Sequence, residues 1–381
     1  MKRRLLSAWC IVFSLMIFAG SWAAANETEL RRELTLEEAI RLGLAVSSEM
    51  KQAQLAVWLA ELNLRHAEVN LHATVTPLEL QEAQLALQNA KVQARLEEAR
   101  TALQVERLYY QVLKAQATLA LRQEAVQRGI QQLEVAHSRH RAGEITDLQL
   151  REAEQEVIRA EVAENQAANA LRLAQMQLRQ KIGIPADVEL ILTEKVDFER
   201  REVNIAEALQ IATERRYEIT TAQQDVDRAK REVQLADNAY TPPIVLQRAK
   251  IELERAEARL AQTIDDIHYE VTQAFFNLEE AETRYYLAQV DLELAQANLD
   301  LAQIRYDHGL ISLLDVFTVQ AALAEAEVKA VAAMYDYNVA WAEYLSAIGL
   351  GFDRWPDLLL GDVNGDSSDS EAASDDPEEA M

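Results

Sequence analysis

The side chains with chemical potential in this sequence gather at two places. His137 and His140 precede Gly143 about one helical turn apart, and Glu144 and Asp147 follow it. Tyr306, Asp307 and His308 precede Gly309, and Asp315 follows it. If the two glycine turns converge on an axis, Glu144, Asp147, Asp307 and Asp315 make an acidic constriction that favours cations. Asp147 and Asp315 also stand where an N-cap would begin the next helix, and the two roles are compatible. The histidines have the chemistry to bind a metal or sense pH, but solvated polar residues at a hairpin end account for them more simply, and no metal is assigned. Enzyme chemistry has nothing to build on. There is no His-Glu-x-x-His, Gly-x-x-x-x-Gly-Lys or Gly-x-Ser-x-Gly sequence, so no catalytic residue and no cofactor are assigned.

The elements that must position these residues follow from composition. The chain has 381 residues, 63 acidic and 38 basic, with a formal charge of −25. That balance argues against nucleic acid as a partner, because phosphate binding needs a basic stripe. Only 10 glycines and 6 prolines punctuate the chain, too few turn formers for a β-sandwich or a wound α/β sheet. Ala, Leu, Glu, Gln and Arg dominate, as they do in long helices and coiled coils.

The first 25 residues read as a Sec-type signal peptide. Lys2, Arg3 and Arg4 lead an apolar run from Leu5 to Ala19, and Ser21-Trp22-Ala23-Ala24-Ala25 supplies small residues for cleavage. Removal takes away three bases and no acid, so −25 becomes −28, and it takes away the lone cysteine, Cys10. The exported chain is expected to lack disulfides and thiolate ligands.

Proline and glycine divide the remainder. No proline lies between Pro77 and Pro185 or between Pro243 and Pro356. Each block reads as a very long helix, a turn at Gly143 or Gly309, and a shorter return helix. At 1.5 Å per residue, 78–142 and 244–308 would each reach roughly 95–100 Å, the length of a rod rather than of a globular core. The blocks are copies. Val105, Tyr109, Tyr110, Arg139 and Gly143 match Val271, Phe275, Phe276, Arg305 and Gly309, all 166 positions on, while Leu34–Ala39 matches Val203–Ala208 at an offset of 169. Duplication of a whole helical unit explains so long a period. The four aromatics at 109, 110, 275 and 276 read as packing residues. Residues 187–202 read as an extended connector, and the stretch beyond Pro356, rich in acids, as a disordered tail. Asp362–Asp366 begins like a calcium loop but lacks the later glycine and bidentate acid. The domain division is therefore 1–25 signal peptide, 26–202 first helical repeat with connector, 203–356 second repeat, and 357–381 tail.

The second long helix carries two apolar seams. One runs from Leu246 through Ala249, Leu253, Ala256, Leu260, Ile264, Ile267, Val271, Ala274, Leu278, Ala281, Tyr285, Ala288, Leu292, Ala295, Leu299 and Ala302, in steps of three and four. The other runs through Leu287, Val290, Leu294, Ala297, Leu301 and Ile304. Between them lie polar strips, Gln289, Glu293, Gln296, Asp300 and Gln303 on one side, Arg284, Asp291, Asn298 and Arg305 on the other. Helices sticky on two opposed flanks make a curved wall, and a wall that closes is a water-filled tube. A plain bundle helix with one broad apolar face is the competing reading. In 78–142 the pattern is looser, with Leu85, Ala90, Val92 and Leu96 off any single register.

Duplicated hairpins with Arg139-His-Arg-Ala-Gly-Glu-Ile-Thr-Asp147 and Arg305-Tyr-Asp-His-Gly-Leu-Ile-Ser-Leu-Leu-Asp-Val316, together with Leu34-Thr-Leu-Glu-Glu-Ala-Ile40, resemble the TolC-type outer membrane efflux protein family over roughly residues 34–351. The resemblance implies an all-α fold of duplicated long antiparallel hairpins, of the coiled-coil α-barrel type. It also implies a homotrimer whose tunnel passes solutes, working with a periplasmic adaptor and an inner-membrane pump. On that reading Gly143 and Gly309 are tip turns where the tunnel closes and the adaptor docks. Glu144, Asp147, Asp307 and Asp315 are tip carboxylates, and Tyr306 stands where the family has a tip tyrosine. The family inserts a pair of membrane strands between the second and third helices of each repeat. Here those sites hold only residues 70–77 and 238–243, too short even for one hairpin of 9–11-residue strands. The expectation is a tunnel with little or no β-barrel, not directly spanning the membrane, located in the periplasm or at the outer membrane. A structural coiled-coil spacer that has lost conduction is the alternative. The first tip also reads as shorter, four steps from Gly143 to Asp147 against six from Gly309 to Asp315.

Overall fold

The structure, a computed structural model, describes residues 31–70, 77–186, 188–194 and 196–350. The expected signal peptide, residues 71–76 of the first short link, and the tail with Asp362–Asp366 lie outside the described residues. In chain order the elements are β1 (Arg31–Leu34), α1 (Leu36–Val46), α2 (Ser48–Asn70), α3 (Pro77–Arg141), α4 (Asp147–Ile182), β2 (Glu189–Leu192), α5 (Ile205–Arg215), α6 (Tyr217–Ala236), α7 (Pro243–Asp307) and α8 (Leu313–Ala347).

The duplication is visible in the element ends. α3 and α7 are each 65 residues long and begin and end 166 positions apart, so each spans roughly 97 Å. α1 with α5, and the starts of α2 and α6, keep the offset of 169. The two offsets reconcile within one element. α2 has 23 residues and α6 has 20, while the links that follow are equally long.

The connector between the repeats is more ordered than the sequence implies. Residues 189–192 form β2, which pairs in parallel with β1, Leu34 opposite Leu192. The pairing ties the start of the first repeat to the link that leads into the second. Beneath it Tyr109 is fully buried and its hydroxyl donates to the Leu34 carbonyl at 2.9 Å. Leu36, Ala39 and Ile40 of α1, Val105 and Val112 of α3, and Leu178 and Ile182 of α4 complete this core. α1 approaches α3 closely enough that a Cβ on Gly43 would lie 2.5 Å from Val105 Cγ2. In the second repeat Ala212, Val271, Leu278 and Tyr337 build the matching core, and Phe198 of the connector stacks on Tyr285 at 3.8 Å.

Each long helix packs along its return helix towards the glycine turn and along its shorter partner, α2 or α6, towards the other end. The two hairpins meet where α3 packs on α8. The expected first seam of α7 is the buried one, through Ala249, Ala256, Ile267, Val271, Leu278, Ala281, Ala288 and Ala302. Its second seam, Leu287, Val290, Leu294, Leu301 and Ile304, is exposed. Asp237–Pro242 between α6 and α7 is a turn with no strand, and no described helix is long and apolar enough to cross a membrane. The described residues contain no closed barrel.

Candidate functional site: the hairpin tips and the open edges

Each long helix ends in the same way. Gly143 and Gly309 take φ of +75° and +69°, a left-handed conformation that costs side-chain-bearing residues about 1–2 kcal/mol. The turn lets Glu144 N–H donate to the Arg139 carbonyl and Leu310 N–H to the Arg305 carbonyl, at 2.9 and 2.8 Å. Gly143 and Gly309 N–H bond His140 and Tyr306, both at 2.9 Å. These paired bonds satisfy carbonyls that a helix end otherwise leaves unmade.

The return helices also start alike. Thr146 and Ser312 are the N-caps, each three residues past its glycine, and each closes a capping box with the residue three further on, Gln149 and Asp315. The two tips are therefore the same length, which corrects the shorter first tip expected from the Gly-to-Asp count. Asp147 aligns with Leu313, and Asp315 aligns with Gln149. Neither aspartate is the cap itself, because the hydroxyls of Thr146 and Ser312 hold that position.

The predicted tip residues then separate by environment. The Asp315 carboxylate accepts from the Ser312 backbone N–H and hydroxyl, both at 2.8 Å, and the hydroxyl bond with the backbone bond holds its carboxyl below the usual carboxylate range. Asp147 is 86% exposed and pairs with His140 Nε2 at 2.6 Å. Glu144, His137 and His308 are exposed. No group of three or more His, Cys, Asp or Glu among the described residues is placed to hold a metal. Tyr306 is buried rather than presented to solvent. It lies in a cluster with Ala136 of α3, Ala153 of α4, and Leu313, Val316 and Phe317 of α8. The Arg139 guanidinium sits over its ring at 4.5 Å and reaches Asp307 at 3.9 Å. One cation from the first tip thus clasps two residues of the second. In the sequence Arg139 is a repeat marker and the first residue of the tip motif, and nothing in the spacing pairs it with Tyr306. The caps are legible in the sequence as Thr-x-x-Gln and Ser-x-x-Asp boxes.

Away from the tips, the protomer has two apolar edges of different make. One is the exposed seam of α7, Leu287, Val290, Leu294, Leu301 and Ile304. The other lies on α2 and α4, with Leu55, Trp58, Leu59 and Leu62 on the first and Ile158, Val162, Leu173 and Met176 on the second. The polar strips of α7 lie beside its seam, with Glu293, Gln296, Asp300 and Gln303 exposed on one side and Arg284, Asp291, Asn298 and Arg305 on the other. A groove of about 670 Å³ runs between α7 and α8, lined by Leu294, Asn298, Leu301, Arg305, Asp315 and Lys329 among others.

With this geometry in place, residues 245–350, most of α7 and α8, match the family of outer membrane efflux proteins. No curated protein matches the chain. Among solved structures, a membrane protein from Pseudomonas aeruginosa is 16% identical with a TM-score of 0.66, the match covering 86% of this chain and 92% of that one. The Campylobacter jejuni CmeC outer membrane channel is 14% identical with a TM-score of 0.64, covering 83% and 86%. The open state of the Neisseria gonorrhoeae MtrE outer membrane channel is 15% identical with a TM-score of 0.63, covering 83% and 89%. The chain therefore resembles TolC-type outer membrane efflux proteins in fold and, across its second hairpin, in sequence. The proteins it resembles are channels rather than enzymes.

Proposed function

From an outer membrane efflux domain carried on a TolC-type helical fold without a barrel in its described part, we propose that the protein is a duct component of the cell envelope. Three copies close into a helical tunnel that passes solutes for an inner-membrane pump. The observation that carries this reading is the pair of unlike apolar edges. A surface that meets its own copy buries the same patch twice, whereas two different edges join head to tail, and such contacts close into a ring when the rotation permits. The polar strips flanking the α7 seam then face the lumen and the outside.

In this assembly Gly143 and Gly309 shape the tunnel end. Glu144, Asp147 and Asp307 supply its carboxylates, and an adaptor docks beside them, where the α7–α8 groove opens next to Asp315. Domain limits of 26–202 and 203–356 and a location in the periplasm or at the outer membrane belong to the same proposal. Light scattering of the detergent-free protein is expected to give three times the protomer mass, with a hollow axis roughly 100 Å long in negative stain. Leu294→Glu with Leu301→Glu is expected to yield helical monomers. A wild-type monomer or a solid rod would overturn the tunnel.

The strand-free turn at 237–242 favours one further reading, a non-conducting spacer. A hollow trimer that fails to restore export of any solute in a strain lacking its own chromosomal copy would select it.

A further inference from the structure

The end of the molecule opposite the tips has an exposed apolar cap with cations set just behind it. Arg95 of α3 donates to the Tyr217 hydroxyl at the start of α6, at 2.7 Å. From that contact α3 runs 18 residues back to Pro77 and α6 runs 19 forward to Ala236, roughly 27–29 Å each. The start of α3 and the α6–α7 turn therefore sit at one height. At that height Tyr240 is 97% exposed, Leu235 75%, Ile244 74% and Val69 84%. Pro242 and Pro243 are exposed beside them. A stretch of ten residues, 235–244, that shows water a tyrosine, an isoleucine, a leucine and two prolines has no packing reason within the protomer.

Immediately beside the turn the charge is locally basic. Acids resume within a helical turn on either side at Asp225, Asp227, Glu252 and Glu254, and Glu68, Glu79 and Glu82 are exposed near the ends of α2 and α3. Residues 228–250 contain five bases, Arg228, Lys230, Arg231, Arg248 and Lys250, against two acids, Glu232 and Asp237, in a protein of net −25. Arg228 pairs with Asp225 at 2.6 Å. Lys230, Arg231, Arg248 and Lys250 are exposed and enter no ion pair among the described residues. Counting along the helices, these four lie roughly 7–10 Å behind the apolar turn. An amphipathic element resting on a bilayer has this stratification, its apolar side chains sunk about 5–10 Å and its cations at the phosphates. Tyrosine is a residue of that boundary because one end of its ring is apolar and the other wet.

We propose that the α6–α7 turn is a membrane-surface docking site that lays Tyr240, Ile244 and Leu235 into the headgroup region of an anionic phospholipid bilayer, with Lys230, Arg231, Arg248 and Lys250 on its phosphates. The contact is interfacial, since the turn holds no strand and no described helix can span. The site stands whether the protein conducts or not, and binding by monomer or oligomer serves it equally.

The test uses residues 26–381, without the basic and apolar leader that would itself bind anionic vesicles, sedimented with vesicles of phosphatidylethanolamine and phosphatidylglycerol (3:1) and, in parallel, of phosphatidylcholine alone. Binding to the anionic vesicles is expected to exceed binding to the neutral ones at least tenfold. It should fall at least tenfold in 0.5 M salt, in the quadruple Lys/Arg→Gln variant, and in Tyr240→Asp with Ile244→Asp. A cysteine introduced at Tyr240 and labelled with an environment-sensitive dye should shift to the blue on adding anionic vesicles, while one at the exposed tip residue Leu310 should not. Absence of wild-type binding, equal binding to both vesicle types, undiminished binding by either variant, or a shift at Leu310 alone would overturn the proposal. So would wild-type binding to a purified envelope protein with none to lipid, which would make the cap a protein contact.

Discussion

Asp147 and Asp315 occupy similar places in the sequence and do different work. Asp315 belongs to the capping box of α8, and its carboxyl titrates below the usual range because the Ser312 hydroxyl and amide bond its charged form. A depressed folded value means that the stabilisation is complete at neutral pH and is lost as pH falls through and below the ordinary carboxylate range. Hydrogen-exchange protection of the first turn of α8 is expected to drop between pH 7 and pH 3, whereas α4, capped by Thr146 in a box closed by the neutral Gln149, should keep its protection. Asp315→Asn should remove the difference between the two tips. Asp147→Lys, at an exposed position outside the box, should leave both helix starts protected and, in the proposed tunnel, alter the passage of cations. Loss of tip protection in Asp147→Lys would refute this division of labour. The glycines separate in a similar way. A Cβ at Gly143 meets nothing within 4 Å, so Gly143→Ala costs only the left-handed strain of about 1–2 kcal/mol. Gly43→Ala drives a methyl into the stiff Val105 side chain and should cost about 1–3 kcal/mol, relieved in part by Val105→Ala. Thermal melting of the three variants checks the order.

Among the elements, the long helices were legible because proline and glycine are so sparse and because α7 keeps an apolar period throughout. α3 was less legible for a physical reason. Its buried seam passes through Ala94, Glu98, Thr101, Val105 and Tyr109, still in steps of three and four, but two of those positions are polar. A reading that counts apolar residues alone loses the register there. β1 and β2 were illegible because a parallel pair of four residues each, separated by more than 150 positions, leaves no local signal. The link between them is testable through Tyr109. Burial first, then the nearby Glu194 charge, push its phenol up to about 12. A raised folded value means that its contribution is whole below the ordinary tyrosine range and is lost as pH climbs towards 12. Tyr109→Phe leaves the Leu34 carbonyl with only the longer bond from the Thr193 N–H at 3.4 Å and should cost about 0.5–1.5 kcal/mol. It should also abolish that alkaline limb, leaving the second repeat's core unchanged. A variant that melts like the wild type across pH 7–11 would show that the sheet is held by packing alone.

At the scale of the whole molecule, the joint between the two hairpins sets how far the tips can move relative to each other. α3 and α8 meet antiparallel, with the bases on α3 and the acids on α8. Arg107 pairs with Glu343 at 2.8 Å, and Lys114 with Asp336, Arg122 with Glu325 and Arg128 with Glu327, each at 2.7 Å. An exposed pair contributes only about 0.2–1 kcal/mol, so four together are comparable to one good apolar contact and are screened by salt. The apolar contacts of this joint run through its middle, where Val331, Met334, Tyr335 and Val339 of α8 pack with Val112 and Leu113 of α3, and gather again near the tips around Ala136, Tyr306 and Phe317. The ion pairs flank this packing on its more exposed side, so ionic strength should loosen the joint before it unfolds either hairpin. Hydrogen exchange in 1 M salt is expected to rise along α3 residues 107–128 and their α8 partners while helical content holds. Reversing the four α3 bases to glutamate should reproduce that loosening at low salt. Reversing the four α8 acids to lysine in the same chain should restore the joint, because the ladder depends on opposite sign rather than on which helix carries it. If the eightfold swap stays as loose as the fourfold one, the joint owes its hold to packing and the tips are fixed by the Tyr306 cluster alone.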